Sequence, residues 1–378
     1  MNMTRTLAGA AVAALAIAAC GGGGDDASDT TQATDAPTTT ESIETTTSAD
    51  ATTTSSSSSS STSTTSTTVP VVPRQPLTGE PLASEDDILQ RPALAVKINN
   101  HPAARRNHSG LGVADIVFEE IVEGRITRFA AVFHSQGSDP VGPIRSGRTQ
   151  DVDILLSFNQ PLFAWSGGNA GVTRIIANSP LTDLNPFKGF GRAYYRGSGT
   201  APHNFYSSTD ALWALTPPDH PGPPPQQFPY LAEGETFQGE PTAGVDLDIG
   251  SVNVQWLWNP DTGKFRRAMG GSDHIDLQHG PIEASNVVVM GVDYQPSQVD
   301  ARSPEAQMVG EGPVAVFSDG KVIEGFWKRE YSLFALEFFD TDGERIKLTP
   351  GNTWIELAEK VPTLDPANPG LPIEILPA

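Results

Sequence analysis

DIVFEEIVEGRITRFAAVFHSQGSDPVGPIRSGR, residues 115–148, decides how this chain is read. Two runs rich in β-branched and aromatic residues, 116–123 and 126–134, flank Gly124-Arg125, and Gly137–Pro140 closes the second. That is the pattern of a β-hairpin. Neither run is cleanly apolar: Glu119 and Glu120 lie inside the first and Arg128 inside the second. A two-residue turn at Gly124-Arg125 places Arg128 opposite Ile121 and diagonal to Glu119, within reach of a cross-strand ion pair. It turns Glu120 to the other face, beside Phe118 and Val122. Pro143-Ile144-Arg145-Ser146-Gly147-Arg148 then brings two guanidinium groups out on one loop.

Outward from this hairpin, Ala93–Ile98 reads as a buried strand, followed by a polar loop with Arg105, Arg106 and His108. Thr149–Phe158 has helical spacing of Val152, Leu155 and Leu156. Pro161–Ser166 is a strand ending in Gly167-Gly168-Asn169, and Ala170–Asn178 is a short helix. A strand, a Gly-Gly turn and a helix start make either an anion site or a plain connection. Thr216–Tyr230 is proline-dense and cannot be an interior helix or central strand. Beyond Val245 the pattern is of hairpins: Val252–Trp258, Val287–Met290, Val314–Phe317, Val322–Trp327, Leu333–Phe339 and Trp354–Leu357, with turns at Asp319-Gly320 and Asp342-Gly343. The fold class is therefore α+β. A mixed α/β first domain with a central sheet (76–215) is joined by a Pro-rich crossing (216–244) to a mostly antiparallel β domain (245–378).

Residues 1–19 carry Arg5 and a short apolar run ending Ile17-Ala18-Ala19 before Cys20, the layout of a secretory signal rather than a membrane span. The ending resembles the bacterial lipoprotein signal, which implies cleavage before Cys20 and its acylation. Residues 20–75 are Gly, Asp, Thr and Ser, lacking the apolar area to offset ordering. They read as a disordered tether spanning about 40 Å. Cys20 is the single cysteine, so no internal disulfide forms.

The chain carries 24 Lys+Arg against 45 Asp+Glu, a net charge of −21. Seven of those acids and two of the basic residues precede Pro76, which leaves 38 acids, 22 basic residues and −16 for the folded part. So acidic a surface repels nucleic acid and anionic lipid, and neither is expected as a main partner.

Several stretches, in order, resemble the YerB-like family of bacterial lipoproteins. They are Ala114–Glu120, Glu123-Gly124, Ile126–Phe129, Val141–Arg148, Ala201-Pro202-His203-Asn204, Gly325–Arg329 and Leu348–Ile355. The resemblance spans roughly 92–358 and implies a secreted, anchored protein of two domains; it supplies no reaction. Asp115–Val132, Pro143-Ile144-Arg145 and Phe163–Gly168 are also similar in order to LytR-CpsA-Psr proteins, which transfer glycan polymers from polyprenyl pyrophosphate carriers. Here Arg145 is followed by Ser146 where those enzymes have Asp.

The candidate ligand-binding residues are Glu119, Glu120, Arg128, Arg145, Ser146, Arg148, Trp165, His203 and Asn204. Arg145 and Arg148 suit a phosphate or carboxylate, each offering a planar fork of donors. The alternative is structural pairing with Asp151, Asp153, Glu119 or Glu120. Ser146 as a nucleophile needs His203 as its base, and Trp165 is either a sugar platform or core. His274, Asp276 and His279 read as loop residues rather than a zinc set, and no metal or cofactor is expected. The expected partners are the bilayer through acylated Cys20 and an anionic glycan or polyprenyl-phosphate ligand. A glycan phosphotransferase and an adaptor for wall-synthesis proteins are the rival readings. Cys20→Ser should release the mature chain from membranes or block its processing; unchanged fractionation and processing would exclude the anchor.

Overall fold

The computed structural model describes residues 72–365 and 369–378; Cys20, the signal segment and nearly all of the 20–75 tether lie outside them. The first half supplies β1 (Leu94–Asn99), β2 (Ile116–Ile121), β3 (Thr127–Phe133), helix α1 (Gln150–Leu155), β4 (Leu162–Ala164), helix α2 (Ala170–Ala177) and β5 (Thr182–Asp183). The main strands of the second half are β6 (Glu240–Ile249), β7 (Val252–Asn259), β8 (Lys264–Met269), β9 (Asn286–Val292), β10 (Gly310–Ser318), β11 (Lys321–Arg329) and β12 (Thr353–Glu359). All of them enter one 16-stranded sheet, whose path runs β8-β7-β6-β11-β10-β9-β12-β2-β3-β1-β4-β5.

Strands β1, β2, β3 and β9 are buried at every residue. Runs such as Val287-Val288-Val289 and Ile116-Val117-Phe118 fit a sheet covered on both sides, where neither face is left for polar residues. One apolar layer holds Val117, Phe129, Trp256, Val287 and Trp354; the other holds Phe118, Ile154, Trp165, Val288 and Ile355. The hairpins expected in the second half are present and antiparallel. The turn at Asp319-Gly320 has both residues at positive φ, 50° and 67°, the mirror-image turn that suits strand twist. A Cβ on Gly320 would sit 2.9 Å from the Trp258 indole.

Three differences from the sequence reading matter. First, β12 lies between β9 and β2 and runs parallel to both, pairing Ile116 with Thr353 through Glu119 with Glu356. The two halves therefore share one sheet, and the crossing packs along it: Phe228 and Tyr230 are buried, and Leu348 N–H donates to Pro229 C=O at 2.9 Å. Second, the strand expected over Leu333–Phe339 forms only at Glu337–Asp340. Leu333 and Phe334 stay exposed in a loop held by Arg329, which donates to Phe334 C=O at 2.8 Å. Third, the turn of the first hairpin has three residues, Glu123-Gly124-Arg125, with Gly124 at φ 71° and Arg125 at φ 57°. That shifts the register by one, so Arg128 stands opposite Glu120, not Ile121, and Glu119 stands opposite Phe129. A one-residue slip exchanges the faces of every side chain.

Glu119 and Glu120 thus enter opposite cores, both fully buried. Glu119 accepts from Asn100 and Thr127 and ion-pairs with Arg267 from β8. Arg267 Nε lies 3.7 Å from Glu356 of β12, which also accepts from Trp256 Nε1 at 2.9 Å. Burial and the neighbouring Glu119 hold the Glu356 carboxyl well above the usual carboxylate range. His274, expected in a loop, is also interior. Arg267 Nη1 donates to His274 Nδ1 (2.8 Å), so His274 Nε2–H donates to His108 Nδ1 (2.7 Å) and His108 Nε2–H to Asn99 C=O (2.6 Å). Asp276 instead accepts backbone N–H groups of Gly112 and Gln278, and His279 faces Ser138, so the three do not converge.

Arg267→Ala should leave Glu119 a buried carboxylate without its cation and cost about 3–5 kcal/mol. Denaturant unfolding checks this; a loss near zero would mean that the halves are held by apolar packing alone.

Candidate functional site

The side of the sheet opposite Arg267 carries the other acid. Register places Asn99 of β1 beside Arg128 of β3, and Arg128 beside Glu120 of β2, all on one face with Lys97. Loop 141–145 extends the sheet here: Ile144 bridges Ile98, and Arg145 N–H donates to Lys97 C=O at 2.8 Å. The loop then dips at Gly147, where a Cβ would stand 2.8 Å from Ile176 and 3.0 Å from the Trp165 ring. Only glycine lets the backbone lie so close to that wall. Arg148 N–H then donates to Asp151 Oδ2 at 2.6 Å, at the start of α1.

The charges are arranged from inside outward. At the bottom, Lys97 Nζ pairs with Glu120 and with Asp151 (2.6 Å), and all three side chains are fully buried. Burial, then Asp151, push the Glu120 carboxyl up to about 7, and its Oε2 has no hydrogen-bond partner. Above them Arg128 donates through Nη1 to Ser146 C=O at 2.9 Å while its buried Nε has no partner. Burial, then Arg148, bring this guanidinium down to about 9. Arg148 donates to Gly147 C=O (2.6 Å) and pairs with half-buried Glu123, and its Nε is also buried and unpartnered. Outermost is Arg145, half-buried. Among the described residues its guanidinium has no hydrogen bond or ion pair, and burial, Arg148 and Arg196 all lower its pKa.

The sequence-predicted residues are thus divided by the structure. Glu120, Arg128, Arg145, Ser146 and Arg148 converge. Glu119 faces the other core. Trp165 is fully buried with its N–H on Asp183 (2.8 Å), so it seats the arginine loop and offers no exposed face. His203 is near Arg145, but its Nδ1 is bonded to Asn99 and its ring stacks on His101. It makes no hydrogen bond to Ser146, so the nucleophile–base pairing is not formed. Asn204 is buried, bonding Gly197 C=O, Gly199 C=O and Arg196. Neither Arg145 nor Arg148 has a guanidinium paired with Asp151, Asp153, Glu119 or Glu120. Arg148 takes Glu123 because the three-residue turn carries that acid over the loop. The reading of residues alone missed Lys97, Asn99, His101, Glu123 and Asp151. A lone lysine inside Ala93-Leu94-Ala95-Val96-Lys97-Ile98 was the available signal, since a buried cation needs buried acids.

A cleft of about 530 Å³ opens beside this cluster, lined by Glu123, Ser146, Arg148, Asn169 and Arg302 among others. The wall facing Arg148 is the start of α2, where Asn169 caps by accepting Val172 N–H at 2.9 Å. Asp300 at the rim is neutralised by Arg302 at 3.0 Å.

The structure defines an α+β protein of two halves on one mixed sheet, with a buried ion cluster beneath an arginine-lined surface. Known proteins share this fold. Residues 77–221 match the N-terminal domain, and residues 245–355 the C-terminal domain, of a protein family of unknown function, DUF3048. Over 311 residues the chain is 30% identical to "Putative lipoprotein YerB" of Bacillus subtilis (strain 168), covering 78% of this chain and 88% of that one. A crystal structure of YerB protein from Bacillus subtilis superposes with a TM-score of 0.66 at 25% identity, over 80% of this chain and 99% of that one. The chain belongs to this YerB-like DUF3048 family.

The layering predicts unequal roles for its cations. Lys97→Met should cost about 3–5 kcal/mol by stranding Glu120 and Asp151. Arg145→Gln should change stability by less than about 0.5 kcal/mol. Thermal melting of both variants checks the pair, and a destabilised Arg145→Gln would show that Arg145 is structural.

Proposed function

We propose that this protein is an extracytoplasmic lipoprotein, held on the membrane by acylated Cys20, that binds an anionic ligand of the cell envelope at Arg145, beside the cleft lined by Ser146 and Arg148. The observation that carries this reading is the free guanidinium of Arg145 beside two buried arginines. Acids are in excess in a chain of net charge −21, yet among the described residues none pairs with Arg145. Arg148 and Arg145 lower the proton affinity of Arg128, and Arg148 lowers that of Arg145, which means that the cations repel; Glu123 is the acid paired at their surface. A bound phosphate or carboxylate relieves that repulsion through charge-assisted bonds. The α2 start adds backbone N–H groups on the facing wall. Residues 20–75, as a tether, would let this cleft sample envelope ligands within about 40 Å of the anchor. The ligand class is an anionic glycan or a phosphorylated lipid headgroup; the shared chemistry is a phosphoryl or carboxylate group.

Titration calorimetry of the full chain in detergent with inorganic phosphate tests the reading. The unmodified protein should bind, and Arg145→Ala should weaken binding at least tenfold, about 1.4 kcal/mol, at an unchanged melting temperature. No binding by the unmodified protein, or equal binding by the variant, would overturn it.

A further inference from the structure

A second group of donors flanks Arg145 on the side away from Arg148. It is built by Asn99, His101, Arg196, His203 and Asn204, and its hydrogen-bond directions can be worked out without ambiguity. Asn99 Oδ1 accepts His101 N–H at 3.0 Å. The other end of that amide, Nδ2, is therefore the donor to His203 Nδ1 at 2.8 Å. His101 Nδ1 in turn accepts Ala103 N–H at 3.2 Å. Both imidazoles are thus fixed with the proton on Nε2. The rings stack at 4.4 Å with an interplanar angle of 18°. Neither Nε2–H has a protein acceptor among the described residues.

Arg196 completes the group. Its guanidinium lies over the Phe205 ring at 4.8 Å and donates to Asn204 Oδ1 at 3.1 Å. Asn204 is itself tied through Nδ2 to Gly197 C=O (3.2 Å) and Gly199 C=O (2.9 Å), so its oxygen is aimed at the arginine. No acid pairs with Arg196 among the described residues, although acids outnumber basic residues nearly two to one. Arg145 lies within electrostatic reach of Arg148 on one side and of Arg196 and His203 on the other. The whole row presents donors and no free acceptor. Water alone can satisfy it, and so can a ligand made of acceptors. A metal ion fits poorly, because binding at Nε2 would move each proton to Nδ1, where Asn99 and Ala103 already direct N–H groups.

We propose that His101, His203 and Arg196 form a second anion subsite, bridged by Arg145 to the first, so that the protein takes a ligand with two or more linked anionic groups. This rests on the Arg145 reading above and extends it from a single anion to a polyanion. Each imidazole offers its Nε2–H as a donor, and the two arginines bring fixed charge to this end.

Calorimetry of the full chain in detergent with phosphate, pyrophosphate and tripolyphosphate tests it. At least one linked anion should bind ten times or more as tightly as phosphate. Arg196→Gln, and independently His203→Phe, should abolish that gain while leaving phosphate affinity within twofold. Arg196 is exposed, so its replacement should not disturb folding. Phosphate binding with no gain for either linked anion overturns this inference alone. So does a loss of phosphate affinity in Arg196→Gln equal to the loss for the linked anions. Absence of binding for all three anions overturns both readings.

Discussion

Two acids in succession on a central strand constrain everything else in this fold. Glu119 and Glu120 leave β2 on opposite sides, and each enters an interior where an unpaired carboxylate is too costly to keep. Each side must therefore deliver a cation. On one side Lys97 comes from the neighbouring part of the same half; on the other Arg267 comes from β8, across the molecule. The second requirement welds the halves electrostatically as β12 welds them through backbone pairing. Buried charge of this kind adds little net stability over apolar packing, but a mispaired arrangement leaves a bare ion and is strongly disfavoured. Its main effect is to select one register and one docking of the halves.

The Arg267 cluster and the surface donors meet at a single residue. Asn99 receives the buried histidine relay at its carbonyl and holds the His101–His203 pair with its side chain. Its position is fixed by β1, and Asn99 N–H donates to Pro143 C=O at 2.9 Å. The surface donors, which lie in turns and loops, are therefore tied to a packed strand through Asn99. Such support is what keeps like-charged guanidinium groups from swinging apart.

Much of the frame was legible in the residues. Runs rich in β-branched and aromatic residues located β1, β2, β3, β9, β10 and β11, and Asp319-Gly320 located a turn. Gly142-Pro143 and Gly147 marked the arginine loop correctly as shaped backbone. The register of the first hairpin was not legible, because Glu123-Gly124-Arg125 holds two residues that accept positive φ and the count of turn residues depends on both. That single ambiguity decided which of Glu119 and Glu120 shares a face with Arg128. Glu356 and Arg267 are charges within strands, and Arg267 shares the inward face of Phe265 and Met269. Their burial depends on β12 joining the other half, which no local pattern encodes. Trp165 shows the converse limit: an aromatic residue beside a Gly-Gly turn has the same composition whether it faces a ligand or, as here, backs a loop.

The placement of β12 has a consequence for how the chain comes into being. Strand β2 is synthesised with its edge open, and the strand that closes it follows about 240 residues later, a separation that makes folding slow. Glu119 also lacks Arg267 until 148 further residues have been made, so the early half cannot settle prematurely into its final core. The acid that fixes the finished structure thus keeps the unfinished one loose. Completion of the sheet becomes a late, all-or-none event, triggered by seven residues that arrive after nearly everything they join.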